Sequence, residues 1–463
     1  MADMPAPPQL PASGRVHIVG AGGAGMSALA KILARMGYEV SGSDLKPGRQ
    51  LDALGDIGIT TWVGHRPEAM EGVALLVSSS AVPDRDPEIV TARGAGVTVW
   101  SRPALLEALT RIAPAIGLAG THGKTTSTAL AVTALRAAGE DPTFILGGEL
   151  VALNTGAHLG DGGLFVLEAD EAFGTFRHLQ LRALMVTNVE ADHLDHYGTV
   201  AALEEAFAQV ANRVTGPVVG CVDDAGVRRL AERAELIGYG VSSDAPWRIE
   251  DVTHDVASTT FTLTTPSREA HRVRVPAPGL HVARNAAGVI ALLAELGWDA
   301  GALAAGLADF KGVRRRFEVR GTVGGVTIVD DYAHHPTEIG ATIEAGRLGG
   351  WRRVWAVFQP HRYTRTADLG PEFGGPLATA DRTIVTDVYP AGEPPIPGVS
   401  GRIVAESVAA AGGDVVFVPG LDAVGEMLVD EVAPGDLVLL LGAGDITGLA
   451  EPVLAALEAR SRA

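Results

Sequence analysis

The sequence predicts an α/β protein whose sheets are assembled from alternating strands and helices. Short apolar runs recur along the 463 residues, and many of the 58 glycines stand where such a run ends and a helical pattern begins. At roughly 150 residues per domain, the length indicates about three domains. With 47% hydrophobic and 20% charged residues, the chain has enough apolar material for several buried cores.

The strand–helix alternation restarts twice, which divides the sequence into three predicted domains. The first, residues 1–111, opens with the strand-like run 16–19 and a glycine-rich loop. The second, residues 112–314, begins with a new strand that leads into another glycine-rich loop. The third, residues 315–463, repeats the cycle with further apolar runs. We therefore expect three α/β domains in series.

Charge and composition exclude several classes of protein. Lys and Arg number 37 against 55 Asp and Glu, and the net charge of −18 argues against a nucleic acid partner. No run approaches the ~18 consecutive apolar residues of a membrane-spanning helix, and the N-terminus lacks the basic start and apolar stretch of a signal peptide. Cys221 is the only thiol, which excludes an intrachain disulfide. We expect a cytoplasmic protein without membrane contact, monomeric or weakly self-associating.

The first glycine-rich loop, residues 20–25, follows a predicted strand and satisfies the pattern G-x-G-x-x-G. Asp44, at the end of the next strand, stands at a suitable separation to accept from a ribose hydroxyl. A helix N-terminus with bare backbone attracts any diphosphate, so a nicotinamide dinucleotide is only one candidate. Glycines placed only for close strand–helix packing are a further interpretation. The residues alone leave these interpretations open.

The second loop, GTHGKTT at residues 120–126, combines backbone amides, a cation and hydroxyls between a strand and a helix. It departs from the strict pattern G-x-x-x-x-G-K-[ST], whose first glycine would fall at Leu118, whereas glycines stand at 117 and 120. Lys124 is one of only four lysines in an arginine-rich chain, and its compact charge suits a phosphate group. We therefore predict a nucleoside triphosphate site at this loop.

Acidic residues follow the next two predicted strands. One strand ends in EADE, residues 168–171, and the other in NVEADHLDH, residues 188–196. Phosphoryl transfer needs a metal beside the phosphates, and carboxylates with a histidine at neighbouring strand ends predict a Mg²⁺ site. Taken singly, each cluster is more often a helix N-cap or a solvated loop, but together with the phosphate loop the two clusters favour a metal site.

In the third domain, two polar segments follow consecutive predicted strands: DDYAHHP at residues 330–336 and FQPHRYTR at residues 358–365. Arg362 and Arg365 stand three apart on one loop, a spacing that suits bidentate capture of a carboxylate. Charge-solvated side chains on an exposed loop would give the same pattern. The basic run 314–316 is either a hinge contact or solvated charge.

Taken together, these blocks resemble the Mur ligase family. GAGGAGMS, GTHGKTT, EADE, NVEADHLDHYG, DDYAHHPTEI, FQPHRYTRT and VYPAGEPPIPG match that family in order and spacing over nearly the whole chain. DDYAHHPTEI together with FQPHRYTRT is most similar to the branch that adds L-alanine. The resemblance implies a Rossmann-like N-terminal domain that binds a UDP-sugar, a central P-loop domain that binds ATP, and a Rossmann-like C-terminal domain that admits the amino acid.

The resemblance also implies the chemistry. The expected reaction is ATP-dependent amide-bond formation between the lactyl carboxylate of UDP-N-acetylmuramate and L-alanine, through an acyl phosphate, in peptidoglycan precursor synthesis. ATP would be the co-substrate and Mg²⁺ the metal. The first glycine loop would then hold the diphosphate of the UDP-sugar rather than a nicotinamide dinucleotide.

Carried over position by position, the resemblance assigns site residues. The UDP-sugar would bind at Gly20, Gly22, Gly23, Gly25, Ser43, Asp44, His65, Ser79 and Ser80. ATP would bind at Gly120, Thr121, His122, Gly123, Lys124, Thr125, Thr126 and Asn285. The amino acid would bind at Tyr332, His335, Arg362 and Arg365. The metal would be held by Thr125, Glu168 and His193, and catalysis would rest on Lys124, Glu168 and His193.

The sequence departs from the family pattern in places. Ala172 and Phe173 follow EADE where most relatives have Ser-Asp, and Val282 stands where many have Asn. Several relatives carry a carbamylated lysine downstream of the DHLD block, where this chain has Phe207 and Ala208. The absence of that lysine agrees with the alanine-adding branch.

Several alternatives stay open on the sequence alone. The same fold could add a different amino acid or a peptide. A nicotinamide-dependent oxidoreductase could be built on the first loop, and an ATP-switched binding module would need no catalysis. The group that deprotonates the amine is undecided among His196, His334 and His335.

Overall fold

The computed structural model describes residues 8–79 and 81–462, except for the side chain of Asp195. The chain forms two compact units. The first takes in the chain as far as Glu250, together with Thr262–Val273 and Arg284–Phe310. The second consists of Asp251–Phe261, Arg274–Ala283 and the chain from Lys311 onward.

The first sheet has five parallel strands in the order β3-β2-β1-β4-β5. Its strands are β1 Arg15–Val19, β2 Glu39–Asp44, β3 Thr60–Val63, β4 Val73–Ser78 and β5 Thr98–Ser101. The helices are α1 Ala24–Arg35, α2 Arg49–Asp56, α3 Pro87–Gly94 and α4 Arg102–Ile112. The strand order reverses at β1, between β2 and β4. In such sheets ligands bind outside the carboxyl ends of the strands at this switch point, which is where the first glycine loop lies.

The second sheet has ten strands in the order β15-β14-β13-β12-β11-β10-β6-β9-β7-β8. The strands are β6 Ala115–Ala119, β7 Thr143–Leu150, β8 Thr155–His158, β9 Phe165–Glu168, β10 Leu181–Val186, β11 Val218–Cys221, β12 Ile237–Gly240, β13 Trp247–His254, β14 Thr259–Thr264 and β15 Ala270–Val275. The helices are α5 Lys124–Ala137, α6 Leu194–Tyr197, α7 Val200–Ala211, α8 Ala225–Ala231, α9 Leu280–Glu295 and α10 Ala300–Gly306. Parallel strands β9 and β10 flank β6, so the polar segments that follow all three strands emerge at one edge.

The third sheet has six strands in the order β16-β17-β21-β18-β19-β20, and only the pair β16–β17 is antiparallel. Its strands are β16 Glu318–Val323, β17 Val326–Asp331, β18 Arg353–Phe358, β19 Arg382–Val385, β20 Val415–Phe417 and β21 Asp436–Leu441. The helices are α11 Pro336–Arg347, α12 Tyr363–Leu369, α13 Gly374–Leu377, α14 Arg402–Ala410, α15 Leu421–Glu431 and α16 Ala450–Arg462. Short 3₁₀ helices cover Pro67–Met70, Ala172–His178, Leu307–Asp309, Gly370–Phe373 and Asp445–Leu449.

Apolar runs in the middle strands explain why helices cover both faces of the third sheet. In β21 every residue is buried, and Leu437 and Leu439 pack into one core while Val438 and Leu440 pack into another. A strand buried on both faces reads as a continuous apolar run rather than an alternating one. The predicted α/β class and its three sheet-containing domains are confirmed. Among the described residues, no helix combines the length and apolar character needed to cross a membrane.

Candidate active site

The phosphate loop joins β6 to α5 in a conformation that requires two glycines. Gly120 has φ +128° and Gly123 has φ +83°, values that other residues rarely adopt. A Cβ atom on Gly120 would lie 2.0 Å from the hydroxyl of Thr187. A Cβ atom on Gly123 would lie 3.1 Å from the side-chain amide of Asn285 in α9. The loop therefore packs tightly against its surroundings, and Thr126 follows in the first turn of α5, half-buried.

Two residues at the end of β10 hold this loop in place. The hydroxyl of Thr187 donates to the backbone oxygen of His122 at 2.6 Å, and the Asn188 side chain accepts from the His122 N–H at 2.8 Å. The backbone N–H of Thr121 donates to the backbone oxygen of Asn188 at 3.1 Å. The hydroxyl of Thr121 accepts from the N–H of Glu190 at 2.9 Å. Sequence analysis did not predict that Thr187 and Asn188 hold the loop. The one feature of the sequence that pointed to such a role was their place directly after a predicted strand.

Lys124, the first residue of α5, directs its ammonium group at the acids that follow β9. Its Nζ lies 2.8 Å from both carboxylate oxygens of Glu171 and 3.5 Å from Oδ1 of Asp170. It also donates to the backbone oxygen of Gly120 at 2.8 Å. Burial lowers the pKa of Lys124, but the charges of Glu171 and Asp170 outweigh burial and hold the pKa above its ordinary value. Lys124 is thus a cation at neutral pH, and its main partner, Glu171, was missed by sequence analysis.

Glu168 and His193 stand beside this ion pair. Glu168 ends β9, accepts from the N–H of Gly147 at 2.5 Å, and raises the pKa of Lys124 through its charge. His193 has φ +54° at the start of α6, and its Nε2 lies 4.0 Å from the Glu171 carboxylate. Lys124 and His193 therefore both lie beside Glu171, and Glu168 is close enough to Lys124 to raise its pKa.

The segment after EADE is kinked at two consecutive residues with positive φ, Phe173 at +53° and Gly174 at +69°. The ring of Phe173 is 60% exposed and packs edge-on against His196, with ring centroids 6.3 Å apart. The hydroxyl of Tyr197 donates to the backbone oxygen of Glu171 at 2.6 Å. The departure from the family pattern at this point places an exposed aromatic ring against His196.

The first glycine loop, residues 20–25, closes on the end of β2. Gly20 has φ +82°, and its N–H donates to the backbone oxygen of Ser43 at 2.9 Å. The N–H of Gly22 donates to the carboxylate of Asp44 at 2.9 Å. Asp44 therefore fixes the shape of the loop.

The same loop continues into the first turn of α1. The N–H of Gly23 donates back to the oxygen of Gly20 at 3.2 Å. A Cβ atom on Gly25 would lie 3.0 Å from the guanidinium carbon of Arg102. Ser79 follows β4, with its N–H bound to the last residue of β1, and the predicted neighbour Ser80 lies outside the described residues.

Ser43 belongs to a buried polar cluster centred on Glu88 in α3. Ser43 is 2% exposed, and its hydroxyl donates to the Glu88 carboxylate. Glu88 also accepts from Nε1 of Trp62 at 2.9 Å and from the N–H of Arg66 at 2.7 Å. Burial raises the pKa of Glu88. The hydrogen bonds from His17 and from these three donors have the larger effect and bring the pKa down to about 2. Glu88 is thus an ionised carboxylate inside the domain.

His65 stands at the edge of that cluster and is exposed. Its Nδ1 lies 3.3 Å from Oδ2 of Asp86, while the other carboxylate oxygen of Asp86 caps α3 by accepting from the N–H groups of Glu88 and Ile89. Among the predicted UDP-sugar residues, His65 is therefore open to a ligand, whereas the hydroxyl of Ser43 is turned into the core.

In the second unit, Tyr332 and His335 stand between β17 and α11. His335 is the N-cap of α11, and its N–H donates to the Glu338 carboxylate at 3.3 Å. The N–H of Tyr332 donates to the backbone oxygen of Arg315 at 2.8 Å. The guanidinium carbons of Arg315 and Arg316 each lie 5.1 Å from the centre of the Tyr332 ring. The basic run before this domain is therefore in contact with the predicted amino-acid loop.

The predicted carboxylate clamp lies at the start of α12. Arg362 has φ +72°, and its Nε is 2.7 Å from the Glu393 carboxylate. Arg365 lies about one turn further along and contributes to the pKa of two histidines. The pKa of His334 is lowered to about 4, mainly by burial and also by the charge of Arg365. The pKa of His361 is lowered to about 3 by burial and by the neighbouring His334 and Arg365. Both imidazoles are therefore neutral at pH 7.

The donors at the phosphate loop fit a nucleoside triphosphate with one divalent cation. Thr125, buried in the first turn of α5, offers a hydroxyl, and Glu168 offers a carboxylate, both oxygen donors of the type that Mg²⁺ prefers. His193 adds an imidazole. The two glycines leave the loop without side chains where phosphates must approach, and Lys124 supplies a compact positive charge.

Comparison with known families and proteins agrees with this geometry. Three family models match successive parts of the chain: "Mur ligase family, catalytic domain" over residues 15–113, "Mur ligase middle domain" over 118–293, and "Mur ligase, glutamate ligase domain" over 315–444. A UDP-N-acetylmuramate–L-alanine ligase from Cutibacterium acnes is 44% identical over 455 residues, covering 96% of each chain. One from Acidothermus cellulolyticus is 43% identical over 451 residues, covering 95% of this chain and 94% of the relative.

A crystal structure of UDP-N-acetylmuramate–alanine ligase from Thermotoga maritima is similar over the whole fold. It superposes with a TM-score of 0.83 at 27% identity, covering 96% of this chain and 100% of that one. The sequence relatives, at more than 40% identity over nearly the full length, and the three family models agree on one assignment. The chain belongs to the Mur ligase family.

Proposed function

We propose that this Mur ligase forms the amide bond between the lactyl carboxylate of UDP-N-acetylmuramate and L-alanine, driven by ATP, in the cytoplasm. The observation that carries the proposal is the ammonium group of Lys124. It lies at the mouth of the phosphate loop, within 3.5 Å of carboxylates that follow a neighbouring strand. A loop of this kind serves phosphoryl transfer and has no role in hydride transfer. The relatives at 44% and 43% identity carry the same activity in their names.

The first step activates a poor electrophile. An oxygen of the lactyl carboxylate attacks the γ-phosphorus of ATP, the bond to ADP breaks, and an acyl phosphate forms. Both reactants are anions, so Lys124 offsets their repulsion and the charge that develops on the transferred group. Thr125, Glu168 and His193 would hold Mg²⁺, which supplies further positive charge at the phosphates.

The second step makes the amide bond. The neutral amine of L-alanine attacks the acyl carbon, and the bond between that carbon and the phosphate oxygen breaks, so that phosphate leaves with the bonding electrons. The nitrogen gives up one proton to a base or to solvent as the amide forms. Arg362 and Arg365 bind the carboxylate of the amino acid, which leaves its amine free to reach the acyl carbon. Because His334 and His361 are neutral at pH 7, they add no positive charge to that of the two arginines.

The first glycine loop binds the nucleotide-sugar in this proposal. The diphosphate sits at the N-terminus of α1, and His65 reaches the substrate from the neighbouring loop. We keep 1–111, 112–314 and 315–463 as the proposed bounds of the UDP-sugar, ATP and amino-acid domains. Each range holds one of the three sheets.

A coupled phosphate-release assay tests the proposal. Purified protein should release phosphate only when ATP, Mg²⁺, UDP-N-acetylmuramate and L-alanine are all present, and each should be omitted in turn. Glycine, L-serine and a murein-type peptide replace L-alanine in parallel reactions. Equal release without any amino acid would contradict ligation, and faster turnover with another acceptor would reassign the substrate.

A further inference from the structure

Arg102 occupies a position next to the first glycine loop that sequence analysis did not assign. It is the first residue of α4 and follows directly on β5. Its side chain reaches the first turn of α1, where a Cβ atom on Gly25 would lie 3.0 Å from the guanidinium carbon and 3.1 Å from Nη2. A larger residue than glycine would displace this guanidinium group.

Among the described residues, the guanidinium group of Arg102 finds no acceptor. Within the part of the chain that the structure describes, Arg102 forms neither a hydrogen bond nor an ion pair, and its Nε is buried. Other arginines of the same domain are paired: Arg93 with Asp84 at 2.8 Å, and Arg111 with Glu107 at 2.9 Å. A buried donor without an acceptor is costly, so a position that keeps one needs a reason.

The surroundings of Arg102 are positive as well. The N-termini of α1 and α4 both carry the positive ends of helix dipoles, and neither helix has an acidic residue in its first turn. A cation beside two helix N-termini, with no ion pair to any residue that the structure describes, is stabilised when an anion binds there.

We propose that Arg102 binds the diphosphate of the UDP-sugar, completing the site formed by the glycine loop. This inference rests on the proposed function, because it assumes a nucleotide-sugar substrate. The planar guanidinium group presents paired N–H donors that match two phosphate oxygens.

Calorimetric titration with three ligands tests the proposal. UDP and UDP-N-acetylglucosamine share the diphosphate but lack the lactyl carboxylate, which UDP-N-acetylmuramate adds. The proteins are the wild type, Arg102→Gln, Arg102→Lys and the control Arg111→Gln on the same helix. We expect Arg102→Gln to weaken all three ligands equally, by about 10- to 100-fold, since a charge-assisted hydrogen bond is lost. Arg102→Lys should fall between, because it keeps the charge without the fork, and Arg111→Gln should bind as the wild type does.

The outcomes separate the two proposals. A wild type that binds none of these ligands overturns the proposed function itself. If the wild type binds them and both Arg102 variants, folded by circular dichroism, bind equally well, the role of Arg102 is wrong. A loss confined to UDP-N-acetylmuramate also overturns it, because the partner would then be the carboxylate rather than the diphosphate.

Discussion

Lys124 and Glu171 form a buried ion pair in which the ammonium nitrogen lies 2.8 Å from each carboxylate oxygen. The pair holds the lysine over the phosphate loop, where it also donates to the oxygen of Gly120. A cation fixed in this way needs little reorganisation when the charge of a transferred phosphoryl group develops. The pair thus contributes to both the stability of the loop and its chemistry, and the two contributions can be measured separately.

Removal of the cation should abolish most of the catalysis. We expect Lys124→Ala to lower turnover by ~10³-fold or more, because electrostatic deletions at such sites raise the barrier by a few kcal/mol. Phosphate release with all substrates present is the measurement. The matched control is Lys311→Ala, an exposed lysine outside the predicted site residues. Weakened ATP binding in Lys124→Ala, with no amide formation by either this variant or the wild type, would instead favour the ATP-switched binding module.

Removal of the anion should affect stability first. Glu171→Gln leaves a buried ammonium group with Asp170 at 3.5 Å as its remaining close carboxylate. Breaking one side of a buried pair costs about 3 kcal/mol, so the urea midpoint should fall markedly. Glu205→Gln, which removes an acid 55% exposed on α7, should leave the midpoint unchanged. Equal midpoints for both variants would show that Glu171 contributes no net stability.

The sequence predicted what depends on local chemistry, and missed what depends on strand register. The glycine loops and the acids after β9 follow from residues adjacent in the chain. The pairing of Lys124 with Glu171, by contrast, depends on the parallel register of β6 with β9, which brings Leu118 opposite Glu168. Ser43 shows the same dependence on distant residues: its place at a strand end suggests ligand contact, whereas its hydroxyl donates to Glu88, 45 residues further along the chain.

The tight packing of Gly120 gives a test of the phosphate loop. Gly120→Ala would place a methyl group 2.0 Å from the Thr187 hydroxyl at φ +128°, so the loop must shift. We expect ATP affinity, measured by calorimetry, to fall about 100-fold, because the backbone donors leave their phosphate-binding positions. Gly139→Ala is the control: it has φ +89° but no atom within 4 Å of the added carbon. Both variants carry strain, and only the first should lose ATP.

Arg315 connects the predicted amino-acid loop to a second loop of the same unit. Its Nη2 donates to the backbone oxygen of Gly442 at 2.6 Å, and its guanidinium lies over the ring of Tyr332. We expect Arg315→Gln to raise the KM for L-alanine about 10-fold while the KM for ATP stays constant, because Tyr332 loses its support. The adjacent Arg314→Gln, 41% exposed, is the control. A similar rise in the KM values for both L-alanine and ATP would instead indicate general misfolding.

The ionised Glu88 makes the stability of the first domain depend on pH. Its pKa is about 2 in the folded protein against an ordinary value of 4.5, so the unfolded chain takes up the proton first as the pH falls. The stabilisation is therefore complete above pH 4.5 and is lost as the pH falls toward 2. The shift corresponds to about 3 kcal/mol at neutral pH. Glu88→Gln should lower the free energy of unfolding by that order at pH 7 and by less at pH 4.

The exposed Glu68→Gln serves as the control, since its carboxylate lies at the surface of the same domain. A wild type and a Glu88→Gln protein that differ by the same amount at both pH values would show that packing of the side chain, rather than its charge, stabilises this cluster.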